Sequence, residues 1–294
     1  WDQWVKYPFH PGYSMVGRVV AVGRDVQGVH EGERFALREP HQEYVTVPYT
    51  ARKGEQGPPS APTRELYPVP AGVSDEDAPW IGLATIVQNG IRRAEHTLGE
   101  SVVVIGLGLL GQLVVQYLRL LGARQVIAVD LSEPRLALAQ QHGATTTLAM
   151  GVQEAREQIL ALTGGAGADV VYDVTGAAPV FSSALTLLRR FGRLVLLGDT
   201  GTPSEQCLTG DVVTKGLSII GAHDSNPPPL SSDHTYWSKR RMAELFFTYV
   251  QRGDMRVSDL VTHRYSPLDA AEAYRVLREE RMTAMGVIFD WTQL

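Results

Sequence analysis

A short glycine-rich motif, Gly-Leu-Gly-Leu-Leu-Gly at residues 106–111, constrains this chain more than any other feature of its sequence. The motif follows an apolar run that ends at Ile105, and a second apolar run closes on Asp130 after a helix-like segment. Strand, glycine turn, helix, strand and acidic residue are the parts of a unit that binds a dinucleotide. The three glycines would allow a tight turn, the approach of a pyrophosphate and close helix packing, in that order. The alternative is a plain βαβ unit, because glycines also cluster in ordinary turns.

Asp130 lies nineteen residues after Gly111 and predicts which dinucleotide is bound. A carboxylate at this point accepts hydrogen bonds from both ribose hydroxyls and repels a 2′-phosphate, so NAD is favoured over NADP. Arg135 and Ser132 complicate this preference, although a helix-face residue and a helix cap are their simpler interpretations. The residues of this unit predicted to bind the cofactor are Gly106, Gly108, Leu109, Leu110, Gly111, Asp130, Leu131 and Arg135.

The composition is that of an ordinary globular protein, and it argues against several classes of partner. The chain has 294 residues, of which 44% are hydrophobic and 20% charged, and this length suggests one large or two ordinary domains. A net charge of −5 argues against nucleic acid or an anionic membrane surface. The single cysteine, Cys207, forms no internal disulfide and no Cys-x-x-Cys zinc cluster. A reducing cytoplasm, the expected location, fits this, and other compartments fit it as well.

Apolar segments alternate with helical ones after the glycine motif, which predicts a doubly wound parallel α/β sheet of the Rossmann type. Strands are expected at 168–174, 193–197 and 218–220, and helices at 152–162 and 179–189. Ligands of such sheets lie beyond the carboxyl ends of the strands. The residues at those ends are predicted to contact the cofactor, with a plain loop role as the alternative for each: Thr175, Gly176, Gly198, Asp199, Thr200 and Ala222.

The first fifty residues carry short β-like segments with glycines at the bends, including 14–22, 26–35 and 43–47. This spacing predicts a small barrel or curled sheet. Residues 51–65 are polar, contain three prolines and are expected to form a surface loop. The pattern near the C terminus predicts helices at 238–252 and 267–280, and strands at 261–265 and 286–289.

Five segments resemble, in the right order, landmarks of the medium-chain dehydrogenase/reductase (zinc-type alcohol dehydrogenase) superfamily. They are PFHPGYSMVGRVVAVGRDV, LGESVVVIGLGLLGQLVVQYLRLLGA, GADVVYDVTG, LLRRFGRLVLLGDTG and YSPLDAAEAYRVL. ATIVQNGIRRAEHTLGE and VTHRYSPLDAAEAY resemble a zinc-ligand-poor subgroup that includes bacteriochlorophyllide-type alcohol dehydrogenases. The resemblance implies a GroES-like β-barrel catalytic domain in residues 1–86, an NAD-binding Rossmann domain in 87–223 and a C-terminal segment, 224–294, that completes the catalytic domain.

The chain departs from this resemblance at the catalytic zinc ligands. The family's Gly-His-Glu block supplies a histidine ligand, but here the block reads Gly12-Tyr13-Ser14. Thr85 stands where the resemblance implies a cysteine ligand. Zinc needs three nitrogen, sulfur or carboxylate donors and an open position, so no catalytic metal is expected. A side chain must then accept the proton that leaves the alcohol.

Tyr13 is the first candidate for this proton, because the resemblance places it where a ligand would face the nicotinamide. His41 is a second candidate, and Thr85 and Asn89 are expected to position a substrate oxygen or the nicotinamide ribose. The alternatives are a pocket-wall aromatic for Tyr13 and a surface-loop histidine for His41. A polar and aromatic cluster before the long helix lines a substrate pocket or caps that helix, and its members are Asp233, His234, Tyr236 and Trp237.

These features predict an NAD-dependent, zinc-independent oxidoreductase for a secondary alcohol or its ketone, such as a biosynthetic intermediate, a sugar or a cyclitol. Three alternatives stay open: a redox-neutral epimerase or lyase with tightly bound NAD, an NAD(P)H-dependent enone or quinone reductase, and a non-catalytic nucleotide-binding protein. The resemblance also implies a homodimer, in which strands at 218–221 pair across a two-fold axis. The expected partner is therefore a small-molecule substrate, with neither nucleic acid nor membrane.

Overall fold

Uninterrupted apolar runs form the central strands of this protein. Val102, Val103 and Val104 have no exposed surface, and the residues from Val126 to Val129 are at most 1% exposed. A strand that is covered by helices on both faces needs apolar side chains on both, so its sequence does not alternate. The computed structural model describes residues 6–49, 66–228 and 231–294.

The described elements are numbered here in chain order. Three short strands and a helix come first: β1 (Met15–Arg18), β2 (Arg34–Leu37), β3 (Leu66–Pro68) and α1 (Ile81–Arg93). Strands and helices then alternate: β4 (Ser101–Ile105), α2 (Leu109–Leu120), β5 (Gln125–Asp130), α3 (Glu133–His142), β6 (Thr146–Ala149), α4 (Val152–Leu162), β7 (Ala168–Asp173), α5 (Ala178–Thr186), β8 (Leu188–Leu196), α6 (Asp211–Thr214) and β9 (Ser218–Gly221). The last four are α7 (Lys239–Arg252), β10 (Val261–Tyr265), α8 (Ala270–Glu279) and β11 (Gly286–Phe289).

The larger of two compact units contains Ile86–Asn226 and Leu260–Leu294. Its six-stranded parallel sheet has the order β6-β5-β4-β7-β8-β9, which confirms the predicted doubly wound arrangement. The order reverses between β4 and β7, whose last residues, Ile105 and Asp173, lie side by side in register. The carboxyl ends of these two strands therefore open the crevice in which such folds bind ligands.

The smaller unit contains Trp1–Thr85 and Pro227–Asp259, and its described strands form the antiparallel sheet β1-β2-β3. Met15 pairs with Leu37, and Leu37 pairs with Leu66 on its other side. The strand predicted at 43–47 is wrong, because these residues form no ladder. Val45 and Val47 are only partly buried and Tyr44 is 67% exposed, so the segment lies at the surface without a pairing partner among the described strands. The predicted surface loop at 51–65 lies outside the described residues.

The C-terminal part of the chain divides differently from the expected single segment 224–294. Pro227–Asp259 groups with the smaller unit, whereas Leu260–Leu294 groups with the larger one. In the larger unit β10 and β11 pair in parallel with each other. Strand β9 forms one edge of the six-stranded sheet, and the homodimer that it would support stays a prediction. Among the described residues, no helix has the length and apolar character needed to cross a membrane.

A buried polar network attaches the segment after α1 to strands β7 and β8. The Glu100 carboxylate accepts hydrogen bonds from His96 Nδ1, at 2.6 Å, and from the Arg193 guanidinium. His96 Nε2 lies 2.8 Å from the hydroxyl of Tyr172, a residue with no exposed surface. A carboxylate only accepts, so neutral His96 carries its proton on Nδ1, and Nε2 accepts from the tyrosine.

The protonation of this network follows from its burial. Burial lowers the pKa of His96, and this effect outweighs the opposite influence of the Glu100 carboxylate. Burial alone would raise the pKa of Glu100, but the hydrogen bonds from His96 and Arg193 bring it below its ordinary value. The folded protein therefore favours neutral His96 and ionised Glu100.

We expect acid to destabilise the protein through this network. Unfolded His96 takes up a proton below its ordinary pKa of 6.5, whereas folded His96 resists protonation, so stability present above that value is lost as the pH falls. The free energy of unfolding, measured by urea denaturation from about pH 7.5 to about pH 5.5, should decrease less steeply in His96→Asn than in the wild type. His234→Asn, at an exposed histidine, is the control and should keep the wild-type slope. An unchanged slope in His96→Asn would contradict the assignment.

Candidate active site

The glycine turn after β4 packs so close to helix α2 that no side chain fits at Gly111. Gly106 has a φ of +90°, which disfavours other residues, and its N–H donates to Val129 O at 2.9 Å. A Cβ on Gly111 would lie 2.0 Å from the carbonyl oxygen of Gly106. The first turn of α2 therefore rests directly on the glycine turn, as the spacing of the motif predicts.

Gly108 leaves open space in front of the helix. It is the N-cap of α2, no side chain caps this helix end, and a Cβ at Gly108 would meet no heavy atom within 4 Å. The helix starts at Leu109, followed by Leu110, and its first N–H groups have no acceptor within the helix. Free N–H groups, the positive end of the helix dipole and this open space fit a bound pyrophosphate.

The Asp130 carboxylate lies at the carboxyl end of β5, and backbone amides hold both of its oxygens. Leu107 N donates to Oδ2 at 2.6 Å, and Ser132 N donates to Oδ1 at 2.8 Å. Each oxygen keeps a second lone pair, so the carboxylate still accepts hydrogen bonds from ribose hydroxyls. Leu131, next in the chain, is 67% exposed at the same edge of the sheet.

Asp173 is a residue of this crevice that the sequence pattern did not single out. Its Oδ1 accepts hydrogen bonds from Thr175 N, Thr175 Oγ1 and Gly176 N, at 2.9, 2.7 and 3.3 Å. Its Oδ2 is buried without a hydrogen-bond partner among the described residues. Burial raises the pKa of Asp173, against the hydrogen bonds from Thr175 and Gly176 that lower it. The amides of Thr175 and Gly176 therefore face Asp173, which shapes the turn after β7.

Gly176 and Gly198 let the turns after β7 and β8 pack against each other. A Cβ on Gly176 would lie 2.0 Å from Asp199 O, and one on Gly198 would lie 2.6 Å from Val174 O. The structure thus gives these glycines a packing role. Of the other predicted contact residues, Thr175 and Asp199 are exposed, Thr200 is partly exposed and Ala222 is buried. Contact of each residue with the cofactor stays a prediction.

Gln112 is a second residue that the sequence did not reveal. It has no exposed surface, and its Nε2 donates to Leu107 O at 3.1 Å and to Arg135 O at 2.8 Å. His142 Nδ1 lies 3.0 Å from its Oε1. This amide joins the glycine turn to α3, and the sequence signal was a glutamine inside an apolar helical stretch.

In the smaller unit, the His41 ring lies against Gly12, the residue that precedes Tyr13 in the chain. His41 N donates to Pro11 O at 2.9 Å, and its ring occupies the place where a Cβ on Gly12 would project, with Cδ2 at 2.0 Å. The Arg38 guanidinium lies 5.0 Å from the ring centroid of Tyr13, a cation–π distance. Burial of part of the His41 ring lowers its pKa, so the imidazole stays neutral at neutral pH. The His41 ring therefore lies against the backbone of Gly12, the residue before Tyr13, and the proton-transfer roles of both side chains stay predictions.

The residues that replace the zinc ligands do not fit a zinc ion. The Thr85 hydroxyl donates to Gly82 O at 2.9 Å, and a Cβ on Gly82 would lie 3.1 Å from Ser14 Oγ. No group of three or more His, Cys, Asp or Glu side chains in the described ranges is placed to hold a metal ion. Hydroxyl and phenol oxygens are not the nitrogen, sulfur and carboxylate donors that zinc prefers.

Asn89 and the cluster before α7 have structural contacts of their own. Asn89 Nδ2 donates to His223 O at 2.9 Å and lies 3.4 Å from Asn226 Oδ1, so it holds the turn after β9. Ser238 is the N-cap of α7, and the Arg241 guanidinium lies over the Tyr236 ring at 4.2 Å. The residue that caps α7 is therefore Ser238, which is not a member of the cluster, and Tyr236 contacts the first turn of the helix through Arg241. The catalytic role of Asn89 stays a prediction.

Comparison with known proteins gives consistent similarities. Residues 110–233 match the model of the family described as zinc-binding dehydrogenase. The chain is 30% identical to the L-threonine 3-dehydrogenase of Symbiobacterium thermophilum, over 93% of this chain and 80% of that protein. It is 27% identical to the D-guloside 3-dehydrogenase of Escherichia coli K12, over 96% of this chain and 78% of that protein. The solved structure of an alcohol dehydrogenase of Escherichia coli CFT073 with NADH matches with a TM-score of 0.72 and 21% identity. The match covers 95% of this chain and 83% of that one.

Two glycine variants separate folding from cofactor binding in the motif. In Gly111→Ala the new Cβ collides with Gly106 O, so we expect a loss of about 3 kcal/mol or more in the free energy of unfolding. Gly108→Ala should stay within about 1 kcal/mol of wild type, because the weaker cap and the stiffer unfolded chain offset each other. Its methyl group would fill the open space, so the Kd for NAD should rise about tenfold or more. Urea denaturation and calorimetric titration measure these effects, and unchanged NAD binding in Gly108→Ala would contradict the assignment.

Proposed function

This chain belongs to the medium-chain dehydrogenase/reductase superfamily, and on that basis we propose that it is an NAD-dependent oxidoreductase that interconverts a secondary alcohol and its ketone. The observation that carries the proposal is the Asp130 carboxylate at the end of β5, held by Leu107 N and Ser132 N beside the glycine turn. An anionic group there favours the free ribose hydroxyls of NAD and repels the 2′-phosphate of NADP. When bound, NAD accepts a hydride from the carbon that carries the hydroxyl.

The relatives support a polar, hydroxylated substrate. L-threonine 3-dehydrogenase and D-guloside 3-dehydrogenase are named for position 3 of an amino acid and of a sugar derivative. Both positions carry a secondary hydroxyl group. We therefore propose a secondary alcohol within a polar molecule, such as a sugar, a cyclitol or a biosynthetic intermediate, as the substrate class.

We assign the proton transfer to side chains and propose that catalysis is independent of zinc. The side chains of Tyr13, Ser14 and Thr85 support this, since these three offer only hydroxyl and phenol oxygens. Oxidation of an alcohol releases a proton from its hydroxyl as the hydride leaves the carbon, and that proton needs an acceptor. Tyr13, in its phenolate form, is the proposed acceptor and becomes a phenol, and the neutral imidazole of His41 is a second group able to take the proton.

The first test measures cofactor and substrate use. We expect the purified protein to reduce NAD with members of a panel of L-threonine, glycosides, polyols and cyclitols, and chelator treatment should leave the rate unchanged. Asp130→Asn should reduce the preference for NAD over NADP by about tenfold, since the isosteric amide removes the repulsion. Asp25→Asn, at an exposed aspartate, is the matched control. NAD binding without turnover would favour a non-catalytic protein, and substrate conversion without net NADH would favour a redox-neutral enzyme.

The second test concerns the proton. Tyr13→Phe should lower kcat by about 100-fold or more and leave the Kd for NAD unchanged, because only proton transfer is lost. His41→Gln should lower kcat less. If His41 takes part, kcat/KM of the wild type should persist as the pH falls through 6.5, the ordinary pKa of histidine, and should decrease only below it, because burial lowers the pKa of His41. Full turnover in Tyr13→Phe would remove Tyr13 from the mechanism.

A further inference from the structure

The turn between α8 and β11 is attached to the start of α3. We call residues 281–284 the C-terminal turn. The hydroxyl of Ser132, a residue only 1% exposed, donates to Met282 O at 2.7 Å. The Arg135 guanidinium donates to Arg281 O and lies 3.4 Å from Ala284 O. Two side chains of the dinucleotide-binding unit therefore bind backbone carbonyls about 150 residues later in the chain.

Ser132 connects this turn to Asp130. Its N–H donates to Asp130 Oδ1 at 2.8 Å, while its hydroxyl donates to Met282 O. On the other side, Leu107 N donates to Asp130 Oδ2 at 2.6 Å. A continuous series of hydrogen bonds thus runs from the glycine turn through Asp130 and Ser132 to the C-terminal turn. The orientation of the carboxylate depends on both ends of this series.

The position of the Arg135 guanidinium affects whether the site accepts NAD or NADP. A guanidinium close to the acidic residue is the group that takes a 2′-phosphate when NADP binds to this type of fold. Here Nη2 donates to two carbonyls of the C-terminal turn, and Nε is buried without a hydrogen-bond partner among the described residues. Rotating this side chain toward a phosphate would break its contacts with the turn and leave those carbonyls without their donor.

We propose that the C-terminal turn is a positioning and specificity element of the cofactor site. It holds Ser132, and through it Asp130, in the orientation that receives the ribose hydroxyls, and it keeps Arg135 away from a 2′-phosphate. Ser132 and Arg135 are therefore positioning residues. This inference rests on the proposed binding of NAD.

The test uses binding alone, so it needs no substrate. The Kd values of NAD, NADP, AMP and adenosine 2′,5′-bisphosphate are measured by calorimetry for the wild type and for Ser132→Ala, Ser132→Thr, Arg135→Met and Ser182→Ala. The two adenosine nucleotides report the adenosine end of the site only. Ser182→Ala is the matched control, because its hydroxyl also donates to a distant carbonyl at 2.7 Å, that of Cys207. Thermal unfolding of each variant shows whether it is folded.

Ser132→Ala should raise the Kd for NAD and AMP about 3- to 10-fold, the range expected when one hydrogen bond is lost, and Ser132→Thr should restore them within about twofold. Ser182→Ala should bind as the wild type does. Arg135→Met should weaken the binding of NAD and AMP and leave the Kd values of NADP and adenosine 2′,5′-bisphosphate unchanged.

Two outcomes would overturn the inference. One is a Ser132→Ala variant that is less stable but binds NAD and AMP as the wild type does, since the bond would then serve folding only. The other is an Arg135→Met variant that loses more affinity for adenosine 2′,5′-bisphosphate than for AMP, since the guanidinium would then contact the 2′-phosphate. A wild-type protein that binds no NAD would instead count against the proposed function.

Discussion

The close contact between Gly111 and the carbonyl of Gly106 is the constraint on which the cofactor site depends. It sets the distance between helix α2 and the turn after β4, because a Cβ at Gly111 would lie 2.0 Å from that oxygen. With the helix in this place, Gln112 Nε2 donates to Leu107 O, and Leu107 N donates to the Asp130 carboxylate. The helix end that suits a pyrophosphate and the acid that suits a ribose are therefore held in fixed relation by one missing methyl group.

Local patterns predicted the central strands of the parallel sheet well, since β4, β5 and β7 are mostly apolar runs, but they gave no strand at the edge strand β6, whose sequence is polar at Thr146 and Thr147. The expected strand at 286–289 and the helix at 152–162 match β11 and α4 to the residue. Strand β8, in contrast, begins at Leu188 and not at the predicted residue 193. Its first part is rich in charge and includes Phe191 with a φ of +59°, so the stretch does not resemble a strand by composition. The stretch is a strand because Leu188 pairs with Ala168 of β7.

The candidate site was predictable only where its residues are close in sequence. The glycine motif and Asp130 belong to one continuous βαβ unit, and their spacing alone identifies them. Gln112, Asp173 and Ser132 act through partners that tertiary packing supplies, and a single sequence does not show such pairs. Tyr13 and His41 illustrate the same limit, because only the fold brings the His41 ring against Gly12, the residue before Tyr13. Residue type predicted their chemistry, whereas the fold determines which groups act together.

The interlocked turns after β7 and β8 have a consequence for how this protein can change over time. Gly176 fits beneath the Asp199 carbonyl, and Gly198 fits against Val174, so each turn fills the space that a side chain on the other would need. Neither glycine tolerates replacement while the partner turn keeps its shape. Substitutions at this edge of the crevice are therefore expected at exposed neighbours such as Thr175 and Asp199, and not at the two glycines.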